Sequence, residues 1–281
     1  MVSQTPGSQP PASQPPASPP LVIFGITGRM GQSLVAALRE GSAFHLQGAV
    51  ASAESSRLGQ DAAAAGRATG VKITADCAAA LKGSAVAVDF SVGSAVAAHA
   101  RACSEAGVPL LVGATAFDTA ATAELTRAAR SIAVLIAPNT SVGVATLSQL
   151  VAQAARALGE TYDVEISEAH HREKRDAPSG TALSLGEVVA KSRGQTLNEV
   201  AVFDRHGADA ARKPHGIGFS VVRAGDIVGE HTVTFAAAGE RLELTHRTTD
   251  RVIFARGALR AAAWLIGRPA GLYGMKDVLG V

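Results

Sequence analysis

The chain contains 281 residues, of which 47% are hydrophobic and 18% are charged, and its formal net charge is +2. This much apolar material is enough for one large domain or two domains of ordinary size. The near-neutral charge, the lack of a basic stripe and an aromatic content of 4% argue against nucleic acid as a partner.

Residues 1–20 form a Pro/Ser/Gln-rich stretch without a charged side chain. It lacks the basic start and apolar run of a secretory signal, and we expect a disordered, dispensable extension rather than a partner-binding tail. No run of 18 or more apolar residues follows, so no membrane span is expected. Cys77 and Cys103 have neither metal nor redox spacing, which predicts free thiols in a reducing compartment.

Five short apolar runs, separated by alanine-rich helix-like segments, predict buried parallel strands. They are LVIFG (21–25), HLQGAVA (45–51), AVAVDFS (85–91), PLLVGAT (109–115) and IAVLIAP (132–138). Met30, Leu34 and Leu38 repeat every four residues and predict one face of a helix after the first strand. This alternation predicts an α/β fold, with a Rossmann-like doubly wound parallel sheet over residues 21–140.

The pattern changes after Pro138, where helices and strands no longer alternate. The predicted order is a helix at 141–159, a strand at 163–171, a helix at 179–194 and strands at 218–226 and 231–247. The last run predicts a hairpin that turns at Ala238 and Gly239. Residues 141–249 are therefore predicted to form a second, α+β domain. A final apolar helix, capped by Asp250 and ending at Gly267, predicts that residues 250–281 pack back on the first domain.

The segment GITGRMG joins the first predicted strand to the first helix. Its glycines, Gly25, Gly28 and Gly31, allow a tight turn, a close approach of pyrophosphate and exposed N–H groups at a helix start. Arg29 adds a cation for phosphate. The spacing is G-x-x-G-x-x-G rather than G-x-G-x-x-G, and a glycine-rich turn without a ligand is the alternative. Its position between a buried strand and a periodic helix favours a dinucleotide site.

The end of the second strand bears on the choice between NADH and NADPH. A carboxylate at this place holds the ribose hydroxyls of NADH. If Glu54 faces the ribose, NADH is favoured. If Ser52 does, Arg29 or Arg57 can attract the 2′-phosphate of NADPH, and the sequence leaves both alternatives open.

The segment EAHHREKRDAPSGTAL, residues 168–183, places two adjacent histidines and a mixture of basic and acidic side chains ahead of a helix start. Ser179, Gly180 and Thr181 offer hydroxyls and backbone N–H groups to a carboxylate. Lys174 adds a compact positive charge, and a histidine next to it carries a proton near neutral pH. Together these features predict a pocket for a small anionic substrate that is protonated during the reaction.

Other interpretations of this segment exist for each feature taken alone. A single histidine is more often a satisfied core or surface residue, and the charges alone suit a solvated loop. His170 and Glu173 are three residues apart, as metal ligands can be, but no third and fourth ligand follow at useful spacing, so no metal is expected. The concentration of all these features in one short segment favours the substrate pocket.

The same segment resembles the block E-[AL]-H-H-x-x-K-x-D-A-P-S-G-T-A of the dihydrodipicolinate reductases, also called 4-hydroxy-tetrahydrodipicolinate reductases, of bacterial lysine and diaminopimelate synthesis. The segments GRMG, VDFS (88–91), SVGV (141–144), RAGDIVGEH (223–231) and MKDVLG also resemble family motifs. The likeness spans about residues 21–281. It implies reduction of dihydrodipicolinate, or 4-hydroxy-tetrahydrodipicolinate, to tetrahydrodipicolinate with NADPH or NADH.

The resemblance also implies roles for the matching residues. His170 would be the general acid/base and Lys174 the second proton donor. The substrate carboxylates would be held by His171, Lys174, Ser179, Gly180 and Thr181. The cofactor would contact Gly25, Ile26, Thr27, Gly28, Arg29, Met30, Ser52, Ala53, Gly113, Ala114, Thr115, Ala137, Pro138, Asn139 and Thr140. A cytoplasmic homotetramer, joined through the substrate-binding and oligomerisation domain at 141–249, is the implied assembly.

Three departures from the family pattern fall in the cofactor site. The chain reads GATAF, with Ala114 and Ala116, where many members read G-T-T-G-F. Thr140 replaces an aromatic residue, and Ser52 and Ala53 stand where some members carry an acid and an arginine. These changes bear on cofactor preference and nicotinamide packing rather than on the reaction.

Two alternative functions share the glycine turn. One is another two-domain dehydrogenase that acts on an amino acid such as aspartate, which has no reason to carry His-His-x-x-Lys before Ser-Gly-Thr. The other is a nucleotide-sensing protein that binds NADH or NADPH without turnover.

Overall fold

A computed structural model describes residues 18–208 and 210–280. The predicted disordered extension therefore lies largely outside the described residues, and Pro20 is already the first residue of a strand. The elements of the first half are β1 (Pro20–Phe24), α1 (Arg29–Arg39), β2 (His45–Val50), β3 (Ile73–Thr74), α2 (Cys77–Leu81), β4 (Val86–Asp89), α3 (Val96–Ala106), β5 (Leu110–Val112), α4 (Thr119–Ala128) and β6 (Ala133–Ile136).

The second half begins with a long helix and ends with a return to the first. Its elements are α5 (Val142–Leu158), β7 (Asp163–His170), α6 (Gly180–Ser192), α7 (Leu197–Val200), β8 (Ala201–Val202), β9 (Ile217–Arg223), β10 (Gly229–Ala237), β11 (Glu240–Thr248), α8 (Val252–Leu265), β12 (Gly271–Tyr273) and α9 (Met275–Leu279).

The first sheet has seven strands in the order β12-β6-β5-β4-β1-β2-β3. Every pair in it is parallel. The chain runs outward from β1 to β3 in one direction and from β4 to β6 in the other, so the order reverses between β1 and β4. The crevice outside the carboxyl ends of these two strands is where doubly wound folds bind ligands.

Neighbouring residues of β1 face opposite sides of this sheet. Leu21 and Ile23 join a core that includes α1 and α8, whereas Val22 and Phe24 join a core with α2, α3 and α4. Because helices cover both faces, the strand is apolar throughout instead of alternating. The predicted doubly wound α/β fold is confirmed.

The second sheet has five strands in the order β11-β10-β7-β9-β8. β10 is antiparallel to β11 and β7, whereas β9 is parallel to β7 and β8. α5 and α6 pack on it, and their apolar residues form a third core with Val164, Ile166, Val233 and Phe235. The predicted α+β second domain and its hairpin around Gly239 are confirmed.

The last elements return the chain to the first sheet. β12 pairs with β6 at the sheet edge, and α8 packs on α1. α8 begins at Val252, and the carboxylate of Asp250 accepts the N–H of Val252 at 2.9 Å. Gly257 allows α8 to lie against the backbone that follows β6, because a Cβ at this position would collide with the carbonyl oxygen of Thr140.

Candidate active site

The glycine turn lies at the point where the strand order reverses. Gly25 and Ile26 both donate their N–H groups to the carbonyl oxygen of Val50, at 3.0 and 3.1 Å. Gly25 has φ of +74°, and a Cβ there would lie 2.7 Å from the Phe90 oxygen. A Cβ at Gly31 would lie 2.5 Å from the oxygen of Gly25. The two glycines are therefore required by packing, between the ends of β2 and β4.

Gly28 has a different part in the turn, because it is exposed at the start of α1. Among the described side chains, none caps this helix start. The first-turn N–H groups are thus left for an acceptor outside the helix, and phosphate suits them. Thr27 and Arg29 are exposed beside them, Met30 is half-buried and Ile26 is buried. The predicted role of the turn in binding a dinucleotide stays a prediction.

The loop after β2 lies next to this turn because β2 pairs with β1. Ser52, Ala53 and Glu54 are all exposed there. Arg57, named above as a partner for a 2′-phosphate, instead donates to the carbonyl oxygens of Asp61 at 2.9 Å and Ala63 at 3.2 Å. Arg57 therefore holds its own loop, which leaves Arg29 as the better candidate for phosphate.

The loop after β5 is hydrogen-bonded to the backbone of Asp89, which ends β4. The N–H groups of Gly113 and Ala114 donate to the Asp89 carbonyl oxygen at 2.8 and 3.1 Å. A Cβ at Gly113 would collide with the ring of Phe90. Ala116 has φ of +57° where the family motif carries glycine, a conformation that costs a non-glycine residue about 1 kcal/mol.

The side chain of Asp89 is fully buried and was not singled out from the sequence. One oxygen accepts the Ser91 N–H at 2.8 Å, and the other lies 2.8 Å from Nδ1 of His99. Burial alone would lower the pKa of His99, but Asp89, with a smaller contribution from Cys77, raises it to about 9. Asp89, whose side chain is held in a buried ion pair, therefore accepts hydrogen bonds from the loops after both β4 and β5.

A cleft of about 780 Å³ lies between the two halves of the molecule. From the first half, Thr115 and residues 136–139 line it. From the second half, α5, the end of β7, the loop with Lys174 and Asp176, the start of α6 and Met275 of α9 line it. Nine predicted site residues line it together: Thr115, Ala137, Pro138, Asn139, His170, Lys174, Ser179, Gly180 and Thr181.

Glu168 organises the second-half wall of this cleft. Its buried carboxylate accepts two N–H groups of the Arg223 guanidinium at 2.8 Å each and the Ser179 N–H at 3.0 Å. Its Oε2 also lies 2.6 Å from Nδ1 of His170. Burial alone would raise the pKa of Glu168, but Arg223, His170 and the Ser179 N–H together lower it. Glu168 is therefore a charged acceptor that orients His170.

The contact with Glu168 determines which ring nitrogen of His170 is free to contact a ligand in the cleft. A carboxylate only accepts, so Nδ1 carries the proton and Nε2 is the nitrogen left for a ligand. Burial lowers the pKa of His170 below its ordinary value of 6.5, and Glu168 opposes that shift. A dianionic ligand in the cleft would favour the protonated ring further.

Lys174 brings the positive charge into the cleft. Its Nζ donates to both carboxylate oxygens of Asp176 at 2.8 Å, and its N–H donates to the carbonyl oxygen of His171 at 3.1 Å. Asp176 is exposed, whereas the Lys174 side chain is only 21% exposed. The ammonium is therefore held at the cleft wall by a partner that an anionic ligand can displace.

The start of α6 provides the neutral donors. Ser179 is its N-cap, and its Oγ accepts the N–H of Ala182 at 3.2 Å. The N–H of Ser179 was predicted to bind a substrate carboxylate, but it donates to Glu168 and is not free for a ligand. The N–H groups of Gly180 and Thr181 precede the helical bonds and stay open to a ligand. Asn139 donates to the Thr181 hydroxyl at 3.2 Å and connects the two walls.

Several predicted residues lie outside this cleft lining. His171 is half-buried on the loop beside it, and the turn at 25–30 with Ser52 and Ala53 lies along the same sheet edge. Thr140 is buried, and its hydroxyl donates to the carbonyl oxygen of Phe254 at 2.7 Å. Thr140 thus joins the strand end to α8 and does not present its side chain to the cleft.

His231 is a buried residue of this site that was not singled out individually, although it closes the RAGDIVGEH motif. Its ring lies edge-on to that of His170 with centroids 5.2 Å apart.

Over residues 18–208 and 210–280, no helix is long and apolar enough to cross a membrane. The same residues contain no group of three or more His, Cys, Asp or Glu side chains placed to hold a metal ion.

Comparisons with known proteins identify the family. Family models described as dihydrodipicolinate reductase, N-terminus and C-terminus, match residues 20–140 and 143–279. A 4-hydroxy-tetrahydrodipicolinate reductase from Anaeromyxobacter dehalogenans is 49% identical over 263 residues, which cover 93% of this chain and 97% of the relative. Another from Thiobacillus denitrificans is 50% identical over 262 residues, with coverages of 93% and 98%.

Among solved structures, a dipicolinate-bound dihydrodipicolinate reductase from Paenisporosarcina sp. TG-14 has the same fold. Its TM-score is 0.74 at 22% identity, and the match covers 92% of this chain and 98% of that one. The two family models together span nearly all the described residues. As the motif at 168–183 predicted, the chain belongs to the dihydrodipicolinate reductase family, the 4-hydroxy-tetrahydrodipicolinate reductases of lysine biosynthesis.

Proposed function

We propose that this 4-hydroxy-tetrahydrodipicolinate reductase performs its reaction in the cleft between its two domains. The observation that carries the proposal is the shared lining of one cleft by His170, Lys174, the open start of α6 and residues 136–139. An anion-binding wall and the carboxyl edge of a dinucleotide-type sheet meet there. The proposed domains are residues 21–140 for the cofactor, 141–249 for the substrate and self-association, and 250–281 returning to the first.

The cofactor in this proposal is NADPH or NADH. The uncapped start of α1, positioned by the turn at Gly25, would hold its phosphates, with Arg29 beside them, while Thr115 and Ala137 to Asn139 would line its nicotinamide end. When bound, the reduced nicotinamide supplies a hydride to C4 of the unsaturated cyclic imine dicarboxylate. Arg29 favours NADPH, because position 52 carries a serine and thus no carboxylate that would repel the 2′-phosphate. The exposed Glu54 nearby favours NADH.

The substrate carboxylates would be bound by Lys174 and by the N–H groups of Gly180 and Thr181. The exposed partner of Lys174, Asp176, leaves the ammonium exchangeable, and the helix start adds favourable partial charge. Two carboxylate contacts on one wall fix the ring orientation toward residues 136–139. The same cations stabilise the negative charge that builds on the conjugated imine.

His170 would deliver the proton to the ring carbon next to C4, with Lys174 as the second donor. Glu168 holds Nδ1 at 2.6 Å, so the exchangeable proton sits on Nε2. Burial lowers the pKa of His170 in the free protein, and the pKa rises when the dianionic substrate binds. The rise restores the protonated form of His170 near neutral pH.

Self-association through the second domain, as a homotetramer, is part of the proposal. Apolar side chains at Phe203, Val222 and Leu242 are exposed on that domain, and exposed apolar surface of this kind often marks an interface. Because the reaction consumes a reduced dinucleotide, we place the protein in the cytoplasm.

The test is turnover with freshly generated substrate, followed as loss of NADPH or NADH absorbance, with oxaloacetate plus ammonia in parallel. Activity with the heterocycle alone supports the proposal. Turnover with oxaloacetate and ammonia favours an amino-acid dehydrogenase, and cofactor binding without any turnover favours a sensor. His170→Ala and Lys174→Ala should each lower kcat far more than they lower Tm; turnover like that of the unsubstituted protein in both would refute the roles assigned here.

A further inference from the structure

His231 lies directly behind the proposed proton donor. It is 4% exposed, on β10, and is paired in register with Glu168 of β7 on one side and His246 of β11 on the other. Its ring packs edge-on against His170. It does not line the cleft. Any effect of His231 on the reaction must therefore pass through a neighbour.

The neighbour is Ser179. Nε2 of His231 lies 2.9 Å from the Ser179 Oγ. The same oxygen accepts the Ala182 N–H at 3.2 Å, while the Ser179 N–H is bonded to Glu168. These contacts leave one question open for Ser179, namely the direction in which its hydroxyl hydrogen points.

The protonation of His231 decides that direction. A hydroxyl has one hydrogen and two acceptor lone pairs, and Ala182 fills one of the pairs. If Nε2–H of His231 fills the second, the hydroxyl hydrogen must point elsewhere, and Ser179 lines the cleft. If Nε2 is instead the acceptor, it takes that hydrogen and the cleft loses a donor.

The second ring nitrogen favours the first arrangement. Nδ1 of His231 is buried and has no hydrogen-bond partner within the described residues. An unpartnered N–H in the interior is costlier than an unpartnered lone pair, so the proton belongs on Nε2. Burial, followed by the charge of His170, lowers the pKa of His231 to about 4, so the ring is neutral near pH 7 and carries only this one proton.

We propose that His231 is a positioning residue, which donates Nε2–H to Ser179 and so turns the Ser179 hydroxyl hydrogen into the cleft as a donor to a substrate carboxylate. This rests on the proposed function, because it assigns one more contact to the same dicarboxylate. His231 thus contributes to substrate affinity without touching the substrate.

The first test compares His231→Leu with His231→Gln. Leucine removes the donor, and the substrate KM should rise about tenfold, as expected for the loss of one hydrogen bond to a charged group. The KM for the dinucleotide should stay unchanged and kcat should change less. Glutamine places an N–H near the position of Nε2 and should recover most of the substrate KM, which general loosening of the core would not allow.

The second test is a double-mutant cycle with Ser179→Ala. Once the hydroxyl is gone, His231→Leu should have no further effect on the substrate KM. An equal rise in KM with and without the hydroxyl would overturn the proposal. If His231→Leu does not fold, His231→Met replaces it in the cycle, since an unbranched side chain adapts to an irregular gap.

Binding of dipicolinate, measured by calorimetry for the same variants, keeps this inference separate from the proposed function. An about tenfold loss of dipicolinate affinity in His231→Leu, absent in the Ser179→Ala background, supports the role of His231 even if no turnover is found. Normal turnover by the unsubstituted protein, with unchanged dipicolinate affinity in His231→Leu, contradicts the inference alone.

Discussion

At the scale of single residues, buried charged groups fix the orientation of the side chains that line the cleft. Glu168 has all its carboxylate contacts inside the protein, to Arg223, Ser179 and His170. His170 and Ser179 of this set line the cleft, whereas Glu168 and Arg223 do not. The reactive imidazole thus has its tautomer and orientation set by groups that do not meet the substrate.

Glu168→Gln should move the pH dependence of the reaction. Glu168 favours the protonated form of His170, whose pKa is already below 6.5 because of burial. The acid form is lost as pH rises through that pKa, so kcat/KM should fall at a lower pH in the variant than in the unsubstituted protein. Turnover near neutral pH should drop about 10- to 100-fold.

The matched control is Glu173→Gln, an exposed carboxylate in the same loop. It removes one negative charge without a contact to His170, and its pH profile should equal that of the unsubstituted protein. An unshifted kcat/KM profile in Glu168→Gln would contradict the orienting role of Glu168.

The Asp89–His99 pair should make stability depend on pH. The folded pKa of His99 is raised from 6.5 to about 9, so its stabilising effect is complete below 6.5 and is lost as pH rises through 9. The free energy of unfolding should fall by about 2–3 kcal/mol between roughly pH 6 and pH 10 from this group.

Urea unfolding at several pH values measures this dependence. His99→Gln keeps a hydrogen bond to Asp89 but cannot titrate, and the difference between the two proteins isolates the contribution of His99 from that of all other groups. A parallel decline in both proteins over the whole range would show that the pair does not carry the effect.

At the scale of elements, the joint between the two halves depends on a helix that lies unusually close to a strand end. Gly257 of α8 sits against the Thr140 carbonyl, and the Thr140 hydroxyl donates to Phe254 one turn earlier. The chain immediately after Thr140 is the start of α5, which enters the second domain. Gly257 therefore packs directly against the segment from which α5 leaves the first domain.

Gly257→Ala should destabilise the protein by about 2–3 kcal/mol, because a backbone carbonyl cannot swing away as a flexible side chain can. Alanine favours helices over glycine by about 1 kcal/mol, so any net loss must come from the contact. Thermal unfolding measures it. Arg260→Ala, on the exposed side of the same helix, should change stability by less than about 0.5 kcal/mol. An equally small effect at Gly257 would show that the close approach to Thr140 does not limit stability.

The elements that could be predicted from sequence are those whose pattern is long or whose motif is specific. β1 and β4 are recognisable as apolar runs, and His170 and Lys174 stand in one long motif that also holds Glu168. β12 has only three residues and no period, so its place at the sheet edge depends on tertiary pairing. The roles of Asp89 and His231 depend on contacts between distant strands and helices, which no local spacing encodes.

At the scale of the whole molecule, residues 18–20 attach the start of β1 to its neighbours in the sheet. The carbonyl oxygen of Ser18 lies 2.6 Å from Nδ1 of His45, and that of Pro19 accepts the His45 N–H at 3.2 Å. Pro20 pairs with His45 in the sheet, and its carbonyl oxygen accepts the Ala85 N–H at 2.9 Å. The first strand is thus fastened to both neighbours from its first residue.

Two truncations separate the extension from the fold. Removing residues 2–17 should leave kcat/KM and Tm unchanged, because the Pro/Ser/Gln-rich composition predicts a dispensable extension there. Removing residues 2–20 takes away the bonds to His45 and Ala85 and should cost about 1–2 kcal/mol, since each buried backbone hydrogen bond contributes about 1 kcal/mol. A large loss of activity in a stable 2–17 deletion would instead give the extension a function in the reaction.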